Sequence, residues 1–91
     1  MISYTAEKHA LNLKKHGFDL VLAEEVLSGV TITREDSRAE YGETRLQTLG
    51  VCRGVVVFVV HTPRGDTDHI ISLRKANRHE ARYYWKHATG G

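Results

Sequence analysis

Six consecutive apolar residues, Val55 to Val60, stand between two turn signals, Arg53-Gly54 and Thr62-Pro63-Arg64-Gly65. A short β-branched run bounded this way reads as a strand. Successive side chains of a strand point to opposite faces, so a run without polar alternation needs cover on both sides. The chain is therefore expected to set this strand inside a sheet and pack further elements on each face. The run is also far too short to cross a bilayer as a helix.

Its neighbours in sequence supply the sheet. Thr44–Val51 alternates moderately and joins Val55–His61 through Arg53-Gly54 as a hairpin. The Thr62–Gly65 turn has Pro at its second position and leads into a strand over Thr67–Arg74. Simple alternation there puts Ile70, Ser72 and Arg74 on one face and His69, Ile71 and Leu73 on the other. Val30–Thr33 is β-branched and makes a fourth strand, and the polar stretch Arg34–Gly42 is a loop. Ile2–Tyr4 has the length of a short edge piece.

The cover comes from helices. Thr5 can cap a helix with Glu7 in its first turn, and Lys14, Lys15 and His16 suit its last turn before Gly17. With Ala6, Ala10 and Leu13 at helical spacing, the first helix spans Ala6–His16. Asp19 caps a second helix, with Phe18 packing back on Ala23, and Leu20, Ala23 and Leu27 form its apolar face until Ser28-Gly29. Asn77-Arg78-His79-Glu80 is a capping box, opening a helix from Arg78 to about His87 with Ala81, Tyr84, Trp85 and Ala88 as its stripe. The expectation is an α+β chain: a twisted antiparallel sheet of about four strands, two N-terminal helices and one C-terminal helix, in one domain over residues 1–91.

Charge is unevenly placed along the 91 residues. The net charge is +2, yet from His69 onward there are five Lys/Arg against one Asp/Glu. A cationic C-terminal third attracts polyanions, of which nucleic acid is the commonest. The plain structural alternative is a solvated helix face. One cysteine, Cys52, and the lack of an export signal fit a reducing, cytoplasmic setting. Six histidines show no paired ligand spacing, so no metal or other cofactor is expected.

An ordered set of residues carries a family resemblance: Asn12, Lys15-His16-Gly17, Val60-His61-Thr62, Arg64-Gly65-Asp66, Ile70-Ile71-Ser72, Arg74, Arg78 and Glu80. In this order they resemble the BrnT toxins, over roughly Ser3 to Trp85. The resemblance implies a RelE-like fold and a ribonuclease toxin of a type II toxin–antitoxin pair. It implies a BrnA-like antitoxin whose ribbon-helix-helix domain binds operator DNA, with DNA reached only through that complex. The family's usual aromatic–acid opening is replaced here by Ser3-Tyr4-Thr5.

RNA can be cut without metal by its own 2′-hydroxyl, given a base, cations on the phosphoryl oxygens and an acid for the leaving oxygen. Arg74 is the first candidate, a forked cation at a strand end beside a helix N-terminus. Its alternative is a salt bridge to an acid in the Glu35–Glu43 loop. Lys15 and His16 are further candidates, although cations also suit a helix C-terminus. Arg45 begins a strand and could face Arg74 across the sheet. His61 is a candidate acid or base, or a satisfied buried histidine. Lys75, Arg78, Arg82 and Tyr83 are candidate RNA contacts. Arg78 and Arg82 lie four apart and repel unless an anion covers them, and Tyr83 lies off the core stripe where it could stack on a base. The leading function is a metal-independent endoribonuclease that arrests growth. The runner-up is a non-catalytic or degenerate module that binds an antitoxin or nucleic acid. A lone DNA-binding regulator ranks third, because no helix-turn-helix pattern is present.

Overall fold

The computed structural model describes residues 1–38, 40 and 42–88. Its elements run β1 (Ile2–Ser3), α1 (Ala6–His16), a single 3₁₀ turn (Leu20–Leu22) continued by α2 (Ala23–Leu27), β2 (Ile32–Glu35), β3 (Leu46–Cys52), β4 (Val55–Arg64), β5 (Thr67–Lys75) and α3 (Arg78–Ala88). The architecture is α+β, with five strands in the order β1-β5-β4-β3-β2. β2 to β5 form an antiparallel meander, whereas β1 pairs parallel with β5 through Ile2 and Ser3. The sheet is thus mixed, and it has one strand more than expected. A two-residue pairing carries almost no sequence signal, which is why β1 reads only as an edge piece.

The Val55–Val60 run sits in the third position of the sheet and is covered on both faces. Val57 and Val59 pack with Leu20, Ala23, Val26, Cys52, Ile70 and Leu73 under the N-terminal helices. Val56 packs with Ala76 and Tyr84 under α3. At Gly50 the chain has no choice of side chain: a Cβ there would lie 2.6 Å from Val26 Cγ1, so α2 sits directly on the backbone of β3.

The caps form as their residue types dictate. The Thr5 side chain accepts from Lys8 N, Asp19 Oδ1 accepts from Val21 N, and the Gly17 N–H donates to Leu13 O. Asn77 and Glu80 exchange reciprocal bonds of 2.8 Å each.

Four local expectations are corrected. The turn after β4 is not Thr62–Gly65: the strand continues through Arg64, and the loop is Gly65-Asp66. Gly65 takes φ 62, the conformation wanted at the first position of a two-residue hairpin loop. Pro63 is accommodated opposite Asp68, near the strand end. The second strand begins at Ile32 rather than Val30, because the Val30 carbonyl instead accepts from the Tyr84 hydroxyl at 2.7 Å. The Arg34–Gly42 loop therefore starts at Asp36, and its residues 39 and 41 lie outside the described residues. Trp85 is 50% exposed, set edge-on to Tyr84, so Tyr84 alone is the buried aromatic of α3.

The fourth correction concerns β5. Val60 pairs with Ser72 but His61 pairs with Ile70, which leaves Ile71 as an extra residue in a β-bulge. Ile70 therefore joins Leu73 in the core under the N-terminal helices, while Arg74 stays on the α3 side, against Phe58 and Glu80. Strict alternation had put Ile70 beside Arg74.

Candidate catalytic groove and adjoining cavity

β1 covers β5 only at Asp68 and His69, so the edge of β5 beyond them needs other partners. α1 lies along this edge, and Asn12 closes it. Its Nδ2 donates to Leu73 O at 2.8 Å, and its Oδ1 accepts from Leu73 N at 3.0 Å. Nδ2 also donates to Phe18 O at 2.9 Å. The side-chain amide thus stands in for a neighbouring strand, and it is 4% exposed. A buried strand edge without such partners would leave orphaned backbone groups.

His16 follows Asn12 by one helical turn and shares its face of α1. The clamp at Leu73 therefore carries the C-terminal end of α1 to the neighbourhood of the next β5 residue, Arg74. Burial holds the His16 imidazole below its ordinary 6.5, and the charges of Lys15 and then Arg74 act in the same direction. Lys15 and His16 line a groove of about 620 Å³ with Lys8, Lys14, Asn12 and the bulge residues Ile71 and Ser72. The groove is cationic, with a largely neutral imidazole at its end at pH 7.

Arg74 lies where β5 passes toward α3. Its guanidinium stacks on Phe58, the residue opposite it in β4, at 4.1 Å from the ring centroid. Its two terminal nitrogens reach the Glu80 carboxylate at 2.8 and 2.9 Å. The acid partner is thus the capping-box glutamate of α3 and not a residue of the Glu35–Glu43 loop. The hydrogen bonds from Arg74 hold the Glu80 carboxyl below its ordinary value against the opposing effect of burial, with the Asn77 N–H and the charges of Arg74 and Arg34 adding to them.

Glu80 also borders a cavity of about 340 Å³ between α3 and the sheet. Ile32, Leu49 and Phe58 give it an apolar floor, and Arg34, Gln47 and Tyr83 stand around it. Arg34 Nε donates to Gln47 Oε1 at 2.8 Å. Tyr83 is 51% exposed and leans on the His87 ring at 4.2 Å. Lys75, Arg78 and Arg82 are exposed.

The structure places Lys15 and His16 together in the groove, with Arg74 near enough for its charge to act on His16; Tyr83 lines the cavity instead, and Lys75, Arg78 and Arg82 are exposed. It does not bring Arg45 or His61 to them. Arg45 precedes β3, and the row that crosses Arg74 runs through Phe58 to Leu49, four residues or roughly 13 Å further along. His61 is 4% exposed under the N-terminal helices, between Thr48 Oγ1 (2.6 Å to Nε2) and Asp68 Oδ1 (3.0 Å to Nδ1). A second hydroxyl, Thr33 Oγ1, lies 2.7 Å from Thr48 Oγ1. The arrangement copies a hydroxyl–histidine–carboxylate relay, yet the hydroxyl of Thr48 is fully buried and no substrate can reach it.

Sequence reasoning gave Arg34 and Phe58 no role at the site, and named Asn12 and Glu80 only within the family resemblance and, for Glu80, as a cap. Beyond its place in that resemblance, Asn12 carried one usable signal, a polar residue set in a helix one turn before His16. The partnership of Glu80 with Arg74 was not readable, since it depends on how the chain turns at Ala76-Asn77. Among the described residues, no three His, Cys, Asp or Glu side chains gather as a metal site requires, and no helix is long and apolar enough to cross a membrane.

A model of one protein family, the ribonuclease toxin BrnT of type II toxin–antitoxin systems, matches residues 4–80. No curated protein matches the chain.

Proposed function

The chain belongs to the BrnT family of ribonuclease toxins of type II toxin–antitoxin systems, and from that membership we propose that its α1–β5 groove cuts RNA without a metal ion. His16 takes the proton of a ribose 2′-hydroxyl. The oxygen attacks the adjacent phosphorus, the bond to the 5′-oxygen breaks, and that oxygen leaves with a proton from an acid. The products are a 2′,3′-cyclic phosphate and a 5′-hydroxyl. Lys15 and Arg74 meet the charge that builds on the phosphoryl oxygens. Lys75, Arg78, Arg82 and Tyr83 hold the strand. Arg45 and His61 serve the fold.

The observation that carries this is the Asn12 clamp, which ties α1 to Leu73 and brings His16 within reach of the Arg74 charge. A type II toxin implies an antitoxin. We take that partner to be BrnA-like, with a ribbon-helix-helix domain through which alone the complex meets operator DNA. We also take the toxin to be a single RelE-like domain working in the cytoplasm.

The test is cleavage of a defined RNA in EDTA with analysis of the ends. The expected product is a 2′,3′-cyclic phosphate, and Arg74→Ala lowers its rate by about 10²–10³-fold. Products ending in a 3′-hydroxyl would sink the mechanism.

One observation favours a second reading, a module that binds without cutting: both terminal nitrogens of Arg74 are already bonded to Glu80. Expression of the chain alone separates the two. A toxin stops growth, and an adjacent antitoxin restores it; a binding module leaves growth unaffected.

A further inference from the structure

The cavity under α3 shares no lining residue with the groove, and the proton transfers of the cleavage chemistry do not use it. Pockets for small ligands begin at about 300 Å³, so its 340 Å³ admits one base or nucleoside and no duplex. Its floor of Ile32, Leu49 and Phe58 is apolar, as the face of a base requires. Two charges of opposite sign border it. Arg34 is held through Nε by Gln47, which leaves its two terminal nitrogens as a fork. Glu80 is kept ionised by Arg74; its Oε1 already accepts from Arg74 and from the Asn77 N–H and its Oε2 from Arg74, which leaves one acceptor position, on Oε2.

We propose that this cavity is a base-recognition subsite for guanine in single-stranded RNA. The base edges decide the choice. Guanine alone presents two adjacent acceptors, O6 and N7, beside two adjacent donors, N1–H and N2–H₂. The Arg34 fork matches the first pair, the commonest specific contact of an arginine with a base, and the remaining acceptor position of Glu80 takes one hydrogen of the second. Adenine and uracil place a donor next to an acceptor on every edge they offer, so the Arg34 fork would meet a like group; cytosine offers the fork O2 and N3 but is a smaller ring with less face to lay on the apolar floor. Tyr83 stands at the entrance, exposed and able to cover the inserted base. The position of the subsite also fits a strand crossing from the groove: Glu80 binds Arg74 and lines the cavity at once. A base in the cavity would lie beside a phosphate at Arg74. The proposal rests on the ribonuclease reading for its biological meaning, but binding to the cavity needs no cleavage.

The test is therefore an equilibrium one. Guanosine, adenosine, cytidine and uridine 5′-monophosphates are titrated into the whole chain, with inorganic phosphate as the control, and backbone and side-chain shifts are followed by NMR. The expected result is tightest binding of guanosine monophosphate, by about tenfold or more over the other three, with shifts at Leu49, Phe58 and Tyr83. Arg34→Gln should bring it down to the level of the others. Leu49→Trp should fill the cavity and abolish the shifts; should that variant fail to fold, the surface variant Arg34→Gln still decides. Equal binding of all four nucleotides, no binding of any, or shifts that phosphate alone reproduces would each overturn the subsite. Cleavage is scored separately on RNA of random sequence. A wild-type chain that binds guanosine monophosphate but cuts nothing leaves the subsite standing and removes the ribonuclease mechanism. A chain that cuts RNA but binds no base does the reverse.

Discussion

Two histidines divide the molecule. His61, under the N-terminal helices, has the better catalytic geometry on paper, with a hydroxyl on one ring nitrogen and a carboxylate on the other. His16, at the end of α1, has neither, only cations and an open groove. A relay needs a route to solvent before its geometry matters, and His61 is 4% exposed under a closed core. Its bonds instead satisfy polar atoms that would be costly to bury alone. His16 shows the converse. Partial burial and neighbouring positive charge keep its imidazole neutral, which is the form a general base requires. Access and electrostatics, not the count of ordered partners, separate the base we propose from the buried histidine.

The sharpest way to break this contrast is to remove His16. General acid–base groups contribute about 10²–10⁴-fold in rate, so His16→Ala should cost cleavage on that scale. Its stability in urea should stay within about 0.5 kcal/mol of the parent, as for most changes at the surface. Cleavage at the parental rate would return the role to some other base.

The next effect is on the anchor that positions His16. Asn12→Leu leaves Leu73 N–H, Leu73 O and Phe18 O without their partner in a buried setting. At about 1–3 kcal/mol for each orphaned buried group, discounted for relaxation and water entry, the loss should be about 3 kcal/mol. Denaturant midpoints measure it. A cost below about 1 kcal/mol would mean that α1 does not depend on this clamp.

Asn12 also marks the limit of what could be read without coordinates. Elements whose signals are local were legible: the covered Val55–Val60 strand, the caps at Thr5, Asp19 and Asn77, and the hairpin at Arg53-Gly54. Those set by distant partners were not. The Ile71 bulge depends on how β4 and β5 pair, and it moved Ile70 to the opposite face. The same holds for the candidate site. Arg74, Lys15 and His16 were named from the family resemblance together with residue type and neighbouring caps. The edge of β5 that unites them, and the Arg34–Glu80 cavity beside them, arise only when segments more than 40 residues apart meet.

On the His61 side, the contrast predicts a loss of stability without a loss of chemistry. His61→Leu leaves Thr48 Oγ1 one partner short, although Thr33 remains, and leaves Asp68 with partial access to water. The cost should be about 1–2 kcal/mol by thermal or urea unfolding. The folded fraction should cut RNA at the parental rate. A folded His61→Leu protein that cuts nothing would reverse the assignment of the two histidines.

The smallest effect is a displacement along the pH axis, and its sign is fixed by charge. Cleavage through His16 requires the neutral ring, so the rate rises with pH through its pKa and then levels off. Burial, Lys15 and Arg74 all lower that pKa from 6.5. The acid limb of kcat/KM should therefore lie below pH 6.5, with the plateau reached at neutral pH. Removing positive charge must move the limb up, and Lys15→Gln should shift it part of the way toward 6.5. The shift is partial because burial is the larger cause and remains. Arg74→Gln should shift it in the same direction by less. Stability follows the same protons. A histidine whose folded pKa is lowered binds fewer protons folded than unfolded, so its contribution is whole above pH 6.5 and is lost as pH falls through the folded value. His16 and His69 both act this way, His69 chiefly through burial and the Arg64 charge. His61→Leu should leave the acid limb of the rate profile where it was. A limb that stays fixed in Lys15→Gln and moves in His61→Leu would show that the buried histidine, not the one in the groove, governs the reaction.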